Sequence, residues 1–240
     1  YAASVTDSMK LDKQYLSLLP QPNTGKLVRK FKSLLGGETY MDKASTPAEF
    51  RKNAGGHKII HIGTHAEYNN INPERSRLIF AKTPVTINDT NSLFLYDIYN
   101  CNVNSDLTLL TACETGRPGY QDGEGMVSLA HAFNYAGSRS ILTGLWKIDE
   151  QSSTQITESF MHHLKEGLPS DEALRQAKLD YLSVNPDRLL APAYWSGLVL
   201  MGKPGIIRFE DTGINPWWWV LGGTAVFALI FFLYRRRKRA

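Results

Sequence analysis

Short apolar runs too brief for helices, set between stretches of helical spacing, constrain this 240-residue chain more than any other feature. Residues 57–63 (HKIIHIG) and 107–111 (LTLLT) are rich in Ile and Leu and bounded by turn residues, which makes both buried strands. Before the first, Leu27, Val28, Phe31, Leu34 and Leu35 recur at helical spacing within 25–35, and the Gly36-Gly37 pair ends that helix. Thr46-Pro47-Ala48-Glu49 opens a second helix with a capping box and Pro at the first helical position. Further on, the pattern predicts a helix over 124–136, a strand over 140–145, helices over 152–165 and 170–182, and a closing strand over 194–201. Strands alternating with helices form a mostly parallel sheet covered on both faces, so the predicted fold class is α/β.

Charge and cysteine usage exclude several classes of function. The chain carries 27 basic and 23 acidic residues, but Arg235, Arg236, Arg237, Lys238 and Arg239 sit together at the C-terminus; without them 22 face 23, a net of −1. No basic run remains that would grip phosphates over a broad face, so a nucleic-acid partner is not expected. Cys101 and Cys113 are the two cysteines, too few for a stapled scaffold or a four-cysteine zinc site. A strand filling most of the interval holds them on the order of 20 Å apart, which disfavours a disulfide. His61 and His65 on one strand lie roughly 13 Å apart and cannot share a metal. His162 and His163 sit in a helix with no second ligand pair nearby. Gly123-Glu124-Gly125-Met126-Val127-Ser128 lacks the third glycine and the tight strand-to-helix turn of a phosphate cradle, and reads as a helix start, with Met126, Leu129 and Phe133 as a core stripe. Neither a metal nor an organic cofactor is expected.

The last part of the chain reads differently. Residues 217–234 (WWWVLGGTAVFALIFFLY) contain no charge and are followed at once by RRRKR in the tail 235–240. As a helix this stretch reaches about 27 Å, close to the roughly 30 Å of a bilayer core. Three Trp at one end and Tyr at the other match interfacial belts, so a single transmembrane helix is predicted, preceded by the linker 208–216 (RFEDTGINP) and a domain over 1–207. By the positive-inside rule the C-terminus is cytoplasmic and the domain extracytoplasmic, periplasmic in a bacterium; a cytoplasmic domain and a sorting signal removed on maturation are the alternatives. A start at Tyr1 rather than Met points to a piece of a longer protein.

In open α/β sheets ligands gather at the carboxyl ends of the strands. The first strand runs out into Gly63-Thr64-His65-Ala66 and the second into Ala112-Cys113-Glu114-Thr115-Gly116. On adjacent parallel strands, His65 and Cys113 face each other, the layout of a thiol nucleophile with an imidazole that shifts it toward thiolate. The backbone N–H groups of Ala66 and Cys113 are candidates to hold an oxyanion. Taken singly, each side chain is as readily a structural histidine or a small buried hydrophobe. Trp146, Lys147, Asp149 and Glu150 follow the next strand and are substrate-pocket candidates; Asp149 reads equally as the cap of the helix entered before Ser152. Glu114 is either a substrate contact or a solvated loop residue.

His65 in IIHIGTHA, Cys113 in LLTACETG, the following GEGMVSLAHAFNYAGSRSILTGLWKIDEQSS and the closing AYWSGLVLMG together resemble the CHAT domain, a caspase-like module often joined to tetratricopeptide repeats in bacteria. The resemblance runs from about residue 18 to 209. It implies a caspase-like three-layer sandwich related to the separases and other clan CD peptidases, with the His–Cys dyad on His65 and Cys113. These are 48 positions apart, near the caspase spacing of about 50. Ala66 departs from the Gly that many relatives carry after the histidine. Separases, which cut after arginine, have Asp directly after a similar Leu-Trp pair, where this chain has Lys147, so no preference for Arg or Lys before the scissile bond is expected. The function implied is a membrane-anchored cysteine endopeptidase acting on a protein or peptide, with upstream repeats as a regulatory partner and the segment 114–123 as a loop that forms on activation. The alternative is an inactive scaffold that binds a partner chain in the same groove.

Overall fold

A computed structural model describes residues 21–69, 71–80, 91–111, 116, 119–121 and 125–209. By contacts the chain divides into two units, Tyr1–Ile207 and Arg208–Ala240. The predicted membrane segment 217–234 and the tail 235–240 lie outside the described residues. Among the described residues no helix is long and apolar enough to cross a membrane.

The chain enters through α1 (Pro22–Leu35) and α2 (Pro47–Asn53), whose cap Thr46 accepts from the Glu49 N–H at 3.2 Å. The central sheet has the order β1-β5-β8-β9. In it β1 (Ile59–Ile62), β5 (Leu107–Leu110) and β8 (Ser140–Gly144) run parallel, and β9 (Leu198–Gly202) is antiparallel to β8. The mixed α/β class with a mostly parallel sheet is therefore the observed one. Alternation along the strands places Ile60, Ile62, Leu110 and Ile141 in one core with Phe50 of α2, Ile98 of α3 (Leu95–Tyr99) and Phe133 of α4 (Leu129–Tyr135). The opposite face carries His61, whose ring meets Phe31 of α1 edge-on at 5.2 Å. There α1 packs on α5 (Glu150–Lys165) and α5 on α6 (Ser170–Val184). His163 ties that pair together, with Nε2 2.7 Å from Asp180 Oδ2.

A second sheet, β2 (His65–Glu67), β3 (Arg77–Ile79) and β4 (Ser92–Phe94), is antiparallel and leaves the first at its carboxyl edge. Buried Thr64 makes the corner, its hydroxyl donating to the Ile79 carbonyl.

Two expectations are corrected. The helix over 124–136 begins only at Leu129, because the Ser128 side chain caps it by accepting from His131 N–H at 3.1 Å. Gly125–Val127 is instead β7, paired antiparallel with β6 (Gly119–Gln121), so Met126 belongs to a strand and not to a helical stripe, and Gly125 does not open a helix; Gly123 and Glu124 lie outside the described residues. Strand 194–201 is also displaced: Pro192–Trp195 forms the short helix α7, with Pro at its first position, and the strand starts at Leu198 after Gly197.

Candidate functional site

The register of the parallel sheet sets the geometry. Ile62 of β1 stands opposite Leu110 of β5, and one step further Thr111 N–H donates to Ile62 O at 3.2 Å. From that matched pair the chain continues three residues to His65 on one strand and three residues to Cys113 on the other. His65 is half-buried, opens β2 and stands opposite Ile79; Ala66, half-buried against the core, stands opposite Leu78. Cys113 and Glu114 lie outside the described residues. The Gly116 N–H donates to Gly144 O at the tip of β8 at 3.0 Å. A Cβ at Gly116 would stand 2.8 Å from Thr143 Cγ2, so a residue without a side chain is what lets the backbone at 116 lie so close to β8.

Beneath the tips lies a tight cluster. His61 Nε2 is 2.9 Å from Thr111 Oγ1, and loss of water around the ring pushes its pKa down to about 3, which keeps the imidazole neutral. At Gly63 a Cβ would come within 2.2 Å of Thr24 Cγ2 on α1 and 3.3 Å from Thr111 Oγ1. Sequence reasoning weighed His61 only to exclude it as a metal ligand; only the alternation of a strand known to pair with β5 would have placed it here.

Beside the cluster is a small, partly open cleft of about 30 Å³ at the carboxyl ends of β5 and β8. Thr111, Trp146, Ile148 and Leu198 form part of its wall, together with Gln21 and Thr24 of the α1 entry and Glu150, Ser153 and Thr154 of α5. Trp146, 36% exposed, is held by its indole N–H on Ala193 O at 3.0 Å and fills the space where Gly197 has no Cβ. Glu150 Oε1 accepts from the N–H groups of Asn23 and Thr24 at 2.9 and 3.0 Å, closing the first turn of α1 from 127 residues away. Of the other pocket candidates, Lys147 is exposed and does not line the cleft. Asp149 Oδ2 accepts from Ser152 N–H at 2.9 Å and from its hydroxyl at 3.1 Å, so it is the cap of α5. Gln21 is a lining residue that sequence reasoning did not single out.

Cys101 is a free thiol, half-buried, donating to Asp97 O at 3.4 Å, and burial pushes its pKa up. Among the described residues no three His, Cys, Asp or Glu side chains are grouped to hold a metal ion.

In two crystal structures of the Saccharomyces cerevisiae separase–securin complex, a chain resembles this one at 13% identity. One, at 3.0 Å, gives a TM-score of 0.52 over 77% of this chain and 11% of that one. The other, at 2.6 Å, gives 0.49 over 77% and 12%. At that identity the first likeness shows the fold alone, and this chain spans about a tenth of the length of the chains it matches. No curated protein matches it. The family model of the CHAT domain matches residues 3–203, a stretch that includes every strand of the central sheet as well as His65 and Cys113, and the chain therefore belongs to the CHAT domain family.

Proposed function

We propose that this chain is a membrane-anchored cysteine endopeptidase of the caspase-like, clan CD type. The observation that carries the reading is the pairing of Ile62 with Leu110, which sets His65 and Cys113 at equal offsets beyond adjacent parallel strands. Covalent geometry limits the Cys113 Cα to about 7 Å from that of Thr111, which itself lines the cleft. Cys113 Sγ attacks the scissile carbonyl while His65 takes the thiol proton; the C–N bond breaks, the amine leaves with that proton, and a thioester remains. Water, deprotonated by His65, then hydrolyses the thioester and restores the thiol. The N–H groups of Ala66 and Cys113 hold the oxyanion.

The cleft receives the side chain that precedes the cut, with Trp146 as its wall. Glu150, its carboxylate committed to α1, offers no free counter-charge for Arg or Lys. Glu114 contacts the substrate from the segment 114–123, of which Gly119–Gln121 already pairs with Gly125–Val127. The substrate is a protein, as the separase–securin pair is a protein complex, and tetratricopeptide repeats supply regulation. Residues 217–234 cross the bilayer once, with the basic tail cytoplasmic and the domain on the extracytoplasmic side.

Alkylation across a pH series tests the reading. Cys113 is expected to react well below pH 8 and Cys101 only above it, and Cys113→Ala is expected to abolish cleavage of a peptide library. Equal reactivity of the two thiols, with no cleavage, would favour the binding-scaffold reading instead.

A further inference from the structure

Between Gly63 and His65 the chain leaves one sheet and joins another, and Thr64 stands at the crossing. Its side chain is fully buried, and its hydroxyl donates to the Ile79 carbonyl of β3. His65 stands opposite that same Ile79 in the β2–β3 ladder. The two neighbours therefore meet β3 at one point, Thr64 through its side chain and His65 through its backbone register. β2 gains from such a tie. It is three residues long and, among the described residues, lies at the edge of its sheet, so few ladder hydrogen bonds hold it. Packing alone does not ask for a hydroxyl at 64. Ile62 two residues before it, and Leu78 and Ile79 on β3, are apolar and buried. In such surroundings valine has the same shape and brings no polar group to satisfy. What distinguishes threonine here is the bond to Ile79.

That bond fixes the Thr64 side chain on β3 and, through the stiff χ1 of a β-branched residue, the backbone from which His65 departs. A general base must lie within hydrogen-bond reach of the proton it takes, and a misplacement of about 1 Å costs about a hundredfold in rate. We infer that Thr64 is a positioning residue: by tying the β1–β2 crossing to the Ile79 carbonyl, it fixes the direction in which His65 leaves the strand tip. The inference deepens the peptidase reading, on which it rests for the partnership of His65 with Cys113. It adds a group that touches neither substrate nor thiol.

Two substitutions separate the hydroxyl from the shape. Thr64→Val removes the donor and keeps the volume, whereas Thr64→Ser keeps the donor and loses a methyl. Full-length wild type and both variants are alkylated across a pH series, with Cys101 as the reference thiol, and are given a peptide library. In Thr64→Val the half-reaction pH of Cys113 is expected to rise by about one unit, toward the 8.5 of an ordinary thiol, and kcat/KM to fall about ten- to a hundredfold. Cys101 is expected to react as before, and Thr64→Ser to follow wild type in every readout. Thr64→Ala leaves space beside the Ile79 carbonyl and reads the same loss should the valine variant fail to fold. Wild-type Cys113 reactivity in the variants without the hydroxyl, or a serine variant as impaired as they are, overturns the inference and leaves the peptidase standing. A wild-type Cys113 that reacts no earlier than Cys101 removes the peptidase instead. The His65 ring, followed by NMR in Cys113→Ala protein, then decides the inference by itself. One sharp ring signal that broadens or splits without the Thr64 hydroxyl, while those of His57 and His131 stay, sustains it; an unchanged His65 signal overturns it.

Discussion

Gly63→Ala is the sharpest single test of how the strand tips meet α1. The added Cβ would lie 2.2 Å from Thr24 Cγ2, whereas carbon atoms at rest stand about 3.5 Å apart. The shortfall of roughly 1.3 Å has nowhere easy to go. Thr24 is buried inside a helix, where a β-branched side chain has few χ1 alternatives. Thr111 Oγ1 and His61 Cε1 close the other sides at 3.3 and 3.4 Å. Overpacking of this kind costs about 2 kcal/mol, within the range of 1–3. In a domain of this size that is about 4–8 °C in melting temperature. The assay is a double-mutant cycle by urea unfolding. Thr24→Ser removes the one methyl that the new Cβ strikes, so it should cost about 1 kcal/mol alone through the lost methyl and yet recover most of the Gly63→Ala penalty when the two are combined. If Gly63→Ala costs the same in both backgrounds, the clash is not with Thr24, and the close approach of α1 to the strand tips is misdescribed.

Two further outcomes follow from the same region. The His61 pKa in the folded chain, about 3, lies below the ordinary value of 6.5; above pH 6.5 both states are neutral and nothing is lost, while at lower pH the unfolded chain takes up a proton that the folded one refuses. Stability therefore falls between about pH 6.5 and 3, by about 1–2 kcal/mol at pH 5, and His61→Gln should flatten that part of a urea-midpoint series run from pH 7 to 4. A variant curve parallel to wild type would show that His61 is not the group responsible. Asp149→Ala should cost about 1 kcal/mol in thermal unfolding through the lost α5 cap, with Asp149→Asn keeping most of it, and neither should alter peptide preference. A changed preference would return Asp149 to the pocket.

What could be read from the sequence, and what could not, divides by range. The strands at 59–62 and 107–110 were legible because four-residue Ile and Leu runs cannot be helices, and their parallel pairing followed from the alternation with helices. The short strand Gly125–Val127 was not, because Met126, Leu129 and Phe133 happen to fall at helical spacing and only Ser128 marks where the helix begins. Asp149 had two local meanings, and the geometry of Ser152 chooses between them. Gln21 and Glu150 are a different matter. Nothing near Gln21 in sequence distinguishes it from a surface glutamine, and Glu150 closes a helix that begins over a hundred residues earlier. Long-range closure of this kind leaves no local signature.

That closure also explains how one wall of the cleft can be selective. Three ties meet along α1: the Glu150 carboxylate on two N–H groups, the Thr24 methyl over Gly63, and the Phe31 ring on His61. They reach α5, the residue just past β1 and the interior of β1, so the helix cannot slide without breaking at least one of them. The opposite wall is equally fixed, since the Trp146 indole is bonded to Ala193 and pressed into the space over Gly197. A pocket between two pinned walls does not widen to fit its guest, and discrimination then rests on the few polar groups left facing inward. The rigidity that makes Gly63 intolerant of a methyl group is thus the same rigidity that holds the two walls of the cleft at a fixed separation.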